Sequence, residues 1–174
     1  MDSYEHNPEN QFLGVMQQYL AYEGWGDDIA IAEDGDASIK TTMCFDGQTH
    51  QLYLEGWASI QNFKVYLYSS FSVPPLRHDE IAILLNFINQ RLGLGRFALR
   101  YCDDAAPIQF LASVDVEEGE MSVKMITNMI GAGVHALCRY RDFLAAVALT
   151  KTTAKEAINE ILLSEEAPAP ALLN

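Results

Sequence analysis

Basic residues are scarce in this 174-residue chain: eleven lysines and arginines stand against twenty-four aspartates and glutamates, giving a formal charge of −13. A field of that sign repels a nucleic-acid backbone, and the cations are scattered along the sequence rather than gathered into a stripe, so nucleic acid is not an expected partner. Cysteine is scarce too. Cys44, Cys102 and Cys138 form no CxxC pair and leave an odd one, which fits free thiols in a reducing compartment. Long apolar runs are missing: the longest charge-free stretch, Met125 to Cys138, is broken by Thr127, Asn128 and His135 and is shorter than the ~20 apolar residues of a membrane span. Met1-Asp2-Ser3-Tyr4-Glu5 has neither the basic region nor the apolar core of a secretory signal, so the expectation is a cytoplasmic protein with no membrane partner. Metal-ligand spacings are absent as well. No histidine has an HxxxH or HxH partner, and the acidic run Asp27, Asp28, Glu33, Asp34, Asp36 lacks the alternating ligands and closing glutamate of a calcium loop. No cofactor or metal is expected.

What remains is a globular composition, 49% apolar and 20% charged. A chain of this length forms one domain that buries roughly 70% of its unfolded surface. Its organising stretch runs from Asp79 to Val116. Ile81, Leu84, Leu85, Ile88 and Leu92 recur at helical spacing, and two strands follow, Arg96 to Tyr101 and Ile108 to Val114, with apolar residues alternating along each. Leu85, Ile88, Phe97, Leu99 and Phe110 are predicted to meet in one core.

Upstream, Asn7-Pro8 opens a first helix with Phe12, Met16, Tyr19 and Leu20 on one face and Gly24 as its stop. Ile29 to Ile31 suggests a short strand and a turn. From Ser38 the period becomes two, and Asp46-Gly47 predicts a hairpin whose second run reaches Leu54. Phe63, Val65 and Leu67 mark the third main strand, which Pro74-Pro75 ends. Downstream, Ser122 caps a long helix with Ile126, Met129, Ile130, Leu137, Tyr140, Leu144 and Val147 on one stripe. Thr153-Ala154-Lys155-Glu156 reads as a capping box opening a last helix. Residues 1–163 are thus expected to form one α+β domain, an antiparallel sheet packed with helices in the order α-βββ-α-ββ-α, and residues 164–174 a flexible acidic and Ala-Pro tail.

Catalytic constellations are weak. Cys44 and His50 lie close in sequence, but a two-residue loop at Asp46-Gly47 pairs Cys44 with Thr49 and Met43 with His50, which points thiol and imidazole to opposite faces. Asp103-Asp104 and Glu117-Glu118 read as solvated turns. Gly93-Leu94-Gly95 follows a helix, opposite in order to a phosphate loop, and reads as a C-cap; Gly131 and Gly133 inside a helix point to close packing. Ile83 and Phe87 project away from the core stripe of their helix, so that helix needs a second partner, either a second copy of the chain or the last or the N-terminal helix folded over it. Tyr66 and Tyr68, on the far side of the third main strand, join them as the residues expected to meet a partner.

The segments Ser72-Val73-Pro74-Pro75-Leu76-Arg77, Leu84-Leu85-Asn86-Phe87-Ile88-Asn89 and Leu94-Gly95-Arg96-Phe97-Ala98-Leu99-Arg100-Tyr101 resemble the YbjN family of bacterial sensory transduction regulators, and the likeness extends over roughly Phe12 to Leu163. The element order is similar to that of the class I type III secretion chaperones. The acidic turn at Glu33 to Asp36 and the tail beyond Leu163 depart from the family. The resemblance implies an α+β sandwich that dimerises and binds polypeptide, with no catalytic residue to carry over. The leading expectation is a non-enzymatic protein-binding module, a chaperone or regulatory adaptor acting as a homodimer on a protein or peptide client. The alternative is a small-ligand sensor or a thiol-dependent enzyme using Cys44 or Cys102.

Overall fold

The elements of the chain follow as α1 (Pro8–Glu23), β1 (Ala30–Ile31), β2 (Ala37–Phe45), β3 (Gln48–Trp57), β4 (Asn62–Ser72), α2 (His78–Asn89), β5 (Arg96–Leu99), β6 (Pro107–Asp115), α3 (Val123–Leu149) and α4 (Ala154–Glu166). These come from a computed structural model that describes residues 8–101, 106–116 and 119–166. The strands form one antiparallel sheet in the order β1-β2-β3-β4-β6-β5.

Asp46 and Gly47 sit at φ 51° and 71°, the left-handed pair that a two-residue hairpin of matching twist requires. The predicted register follows, with Cys44 opposite Thr49 and Met43 opposite His50. Alternation then sorts the strands into two sets. Ile39, Leu52, Leu54, Phe63, Val65, Leu67, Ile108, Phe110 and Ala112 point to one face and are buried there with the apolar stripes of α1, α2 and α3. The result is a two-layer sandwich with its core between sheet and helices.

Helices α1, α3 and α4 each carry a device their sequence announced. Gly24, at φ 69°, lets Trp25 N–H reach back to the Leu20 carbonyl at 2.9 Å and closes α1. Ser122 Oγ accepts from Met125 N–H at 3.3 Å and opens α3. At the other end of α3, the Arg77 guanidinium donates to the Val147 carbonyl at 2.7 Å, an acceptor the helix end leaves open, and to the Thr152 carbonyl in the loop that follows. In α4, Thr153 N–H and Oγ1–H both donate to the Glu156 carboxylate, at 2.8 and 2.9 Å, while Glu156 N–H donates back to Thr153 Oγ1 at 3.3 Å. Gly133 lets α3 approach β6: a Cβ there would stand 2.8 Å from the Phe110 ring.

Several boundaries differ from the sequence expectation. The short strand expected at Ile29 to Ile31 forms as the two-residue β1, and the helices expected from Ser122 and from Thr153 form as α3 and α4. The second helix stops at Asn89, because Arg91 N–H bonds Ile88 O in a tightened last turn. Leu92 therefore follows the helix, and within the Gly93-Leu94-Gly95 stretch read as a C-cap the left-handed glycine is Gly95 at φ 75°, packed against Phe110 and six residues beyond the end of α2. Leu85, Ile88, Phe97 and Phe110 are buried together as predicted, but Leu99 is only half-buried on the edge strand. The α4 helix runs to Glu166, beyond the tail boundary placed at Leu163. Asn7, Cys102, Asp103-Asp104, Glu117-Glu118 and the rest of the tail from Ala167 lie outside the described residues.

Candidate functional site

With the helices on one face, the outward set of strand residues carries no second layer among the described residues, and of that set Gln109 alone is buried, between Tyr68 and Ala98. Register lines five of them across the sheet: Lys40 on β2, Tyr53 on β3, Tyr66 on β4, Leu111 on β6 and Arg96 on β5. A parallel line holds Ser38, Glu55, Lys64 and Ser113. Tyr68, opposite Gln109, stands edge-on to Tyr53 with ring centroids 5.4 Å apart. Tyr53, Tyr66, Tyr68 and Leu111 are each half-buried, the state of side chains that present an apolar body and keep a polar tip wet.

The charges on this face are arranged. Glu55 accepts from the Trp57 indole N–H at 3.0 Å, and Lys64 Nζ lies 3.2 Å from the centre of the Trp57 ring. Burial, then the charge of Glu55 and a hydrogen bond to it, push the Tyr66 phenol up to about 12, so it stays neutral and able to donate at ordinary pH. Lys40 Nζ sits 5.5 Å from the Tyr53 ring centre. Toward β1 the face dips into a hollow of about 380 Å³ walled by Ile31, Ser38, Glu55 and Trp57. The sequence reading found the cations scattered; the register instead gathers Lys40, Lys64 and Arg96 on one side of the sheet, a pattern visible only once strand pairing is known.

Ile83 and Phe87 lie elsewhere, on the helical layer and away from the sheet. Ile83 is 56% exposed. Phe87 is half-buried, with the Arg91 guanidinium 3.5 Å above its ring. The α4 helix runs beside this part of α2 and in parallel with it: Glu80 accepts from Ala154 N–H near the start of both helices, and Arg91 pairs with Glu165 at 3.6 Å near their ends. Part of the second side of α2 is thus occupied within the chain. The four residues proposed from sequence divide between two surfaces, Tyr66 and Tyr68 on the sheet, Ile83 and Phe87 on the helices.

The thiol candidate separates as its register dictates. Cys44 is exposed on the outer face, 3.5 Å from the Thr49 hydroxyl. His50 is buried on the inner face, stacked on Phe45 at 4.0 Å. Its Nδ1 donates to the Tyr68 carbonyl at 3.0 Å. Nucleophile and base do not meet. His78 donates through Nε2 to the Val73 carbonyl at 3.1 Å, and His135 is exposed on α3. Asp36, from the acidic turn, accepts from Ala58 N–H at 2.8 Å and holds the turn after β3. No helix among the described residues is long and apolar enough to cross a membrane.

No protein-family model matches the chain, and no curated protein matches it in sequence. Solved structures do match in shape. YbjN from E. coli, 14% identical, superposes with a TM-score of 0.55 over 75% of this chain and 91% of its own. The HopA1-SchA chaperone-effector complex contains a chain that is 10% identical, with a TM-score of 0.52 over 77% of this chain and 95% of that one. In the ExsC-ExsE complex the corresponding values are 14%, 0.53, 81% and 96%. The fold of this chain is therefore the YbjN-like, type III secretion chaperone-like α+β fold.

Proposed function

We propose that this chain is a non-enzymatic, chaperone-like or regulatory adaptor that binds a polypeptide partner through its open sheet face and acts in the cytoplasm as a homodimer. The observation that carries this reading is the row Tyr53, Tyr66 and Leu111, flanked by Tyr68, on which no described element packs. Aromatic side chains with a wet tip supply contact area at low entropic cost, which suits a protein partner better than a small molecule in a flat, open site. The fold shared with a chaperone-effector complex agrees with this use. Self-association is assigned to the outer side of α2, where Ile83 and the free edge of Phe87 would be covered by a second copy.

A photo-crosslinking residue in place of Tyr66, irradiated in the native host, tests the partner. One discrete protein adduct, lost when Tyr53 and Leu111 become alanine, is the expected result. Recovery of no protein, together with a metabolite co-purifying stoichiometrically, would retire the proposal. Light scattering on a sizing column tests the dimer, with Ile83→Asp and Phe87→Asp expected to yield folded monomers. A wild-type monomer, or variants that stay dimeric, would remove the assignment to α2.

A further inference from the structure

We propose that the open sheet face recognises an acidic segment, a stretch of partner protein in which carboxylates flank apolar residues. This rests on the polypeptide-binding reading and names the chemistry of the ligand.

The arginines of the two layers are treated differently, whereas the lysines Lys124, Lys151 and Lys155 of the helical side, like Lys40, form no ion pair among the described residues. On the helical side, Arg91 and Arg139 pair with Glu165, Arg141 pairs with Asp46 and Asp142, and Arg77 is held by carbonyls. On the sheet side, Lys40, Arg96 and Arg100 form no ion pair among the described residues, although acids outnumber bases about two to one in the chain. Arg100 belongs to this face, because it extends β5 by bonding its N–H to the Pro107 carbonyl at 3.0 Å and acts on the Tyr66 phenol. The carboxylates there are Glu55 and Asp115, and Glu55 is already engaged by the Trp57 indole and the Tyr66 phenol. A face whose Lys40, Arg96 and Arg100 form no ion pair among the described residues, set around tyrosines on a body of charge −13, is complementary to carboxylates.

The register also sets a length. Lys40 and Arg96 close the two ends of one row, four strand spacings apart, or about 19 Å. An extended segment covers that span in about six residues. Its terminal carboxylates would pair with the two cations while its apolar centre lies on Tyr53, Tyr66 and Leu111. A phosphate polymer fits less well, since it carries charge at every step and extends onto the acidic remainder of the protein.

Selection of a random dodecapeptide display library on the full-length protein at physiological salt tests the proposal. Parallel selections use the Lys40→Glu/Arg96→Glu and Lys40→Gln/Arg96→Gln variants, each checked for folding by thermal melting. Wild type is expected to enrich peptides with apolar residues between carboxylates. The enriched peptides should bind the charge-reversed protein roughly tenfold or more weakly, and the neutral variant at an intermediate level. Enrichment of neutral or basic peptides, or equal binding by all three proteins, would overturn the acidic specificity and leave polypeptide binding standing. No enrichment at all would overturn both. Single-stranded DNA binding that depends on Lys40 and Arg96 would assign the face to phosphate, and self-association that depends on them would assign it to a second copy; either overturns the proposal.

Discussion

Asn89 acts as a one-residue strand against Phe97: its Nδ2 donates to the Phe97 carbonyl at 2.9 Å, and its Oδ1 accepts from Phe97 N–H at 2.7 Å. Phe97 faces Phe110 across β5 and β6 at a position whose own N–H and carbonyl point away from β6, toward the open edge of the sheet. The side chain of the last residue of α2 fills that edge slot and ties the helix to the strand. Asn89, the last residue of the Leu84 to Asn89 segment that carries the family resemblance, is accounted for in this way, as edge protection.

Asn89→Ala leaves both backbone groups of Phe97 without their partner at the groove between α2 and β5. A loss of about 1 to 3 kcal/mol in urea unfolding is expected, together with faster hydrogen exchange at the Phe97 amide. Asn89→Asp should not rescue it, because a carboxylate accepts from the N–H but meets the carbonyl with a lone pair. Wild-type exchange at Phe97 in the alanine variant would dismiss the edge role.

Phe110 is fully buried, tilted at 73° to Phe97 with centroids 5.6 Å apart, and pressed on its other side by Gly133. Phe110→Ala should cost about 3 to 5 kcal/mol. Gly133→Ala alone should destabilise by overpacking, on the order of 1 to 3 kcal/mol, yet cost less once Phe110 has been truncated. Additive losses in a double-mutant cycle would show that the two sites do not share the contact.

Tyr66 ionises late, at about 12, because burial and then Glu55 oppose the phenolate. With a folded value above the ordinary tyrosine value near 10, its contribution to stability is intact below that value and is lost as pH rises toward 12. The absorbance titration of wild type minus Tyr66→Phe isolates the group. Glu55→Gln should bring it part of the way back, since burial, the larger cause, remains. A midpoint at the ordinary value in wild type would mean the face is wetter than described.

Glu156 has its carboxyl held below the usual range by the hydrogen bonds from Thr153 N–H and Oγ1–H. Its capping contribution is therefore complete above the ordinary carboxylate value and disappears as pH falls through the lowered one. Glu156→Gln should lower the thermal midpoint at neutral pH and flatten its dependence in the acidic range. An unchanged acid profile would remove Glu156 from the cap.

Local chemistry was readable in advance wherever the partners are close in sequence. Asp46-Gly47 specified a turn, the turn specified a register, and the register separated Cys44 from His50. Ser122 and Thr153-Glu156 announced their helices in the same way. The misses involve distant partners. Nothing in the stretch around Phe87 indicates that Glu80 will receive Ala154 N–H or that Arg91 will reach Glu165, so part of an apolar helix side that looked bare is taken by α4. The end of α2 at Asn89, ahead of Leu92, likewise depends on a strand that has yet to form. Lys40, Lys64 and Arg96 look dispersed until four strand pairings put them on one surface. Tyr66, Tyr68 and Leu111 were legible as outward residues by alternation alone, whereas their meeting Tyr53 in one row required the ladder.

Alternation along the strands has a consequence for how such a protein diversifies. Ile39 and Lys40, Leu52 and Tyr53, Val65 and Tyr66 are adjacent in the chain, yet one member of each pair is fixed by packing and the other only by what it touches outside. Substitutions at the outward members leave cavity and transfer terms in the core untouched, so a single point change can redirect the choice of partner at the cost of cross-strand contacts alone, about 0.2 to 1 kcal/mol each. The scaffold and its specificity are thus written in interleaved letters, and the second can be rewritten while the first is kept.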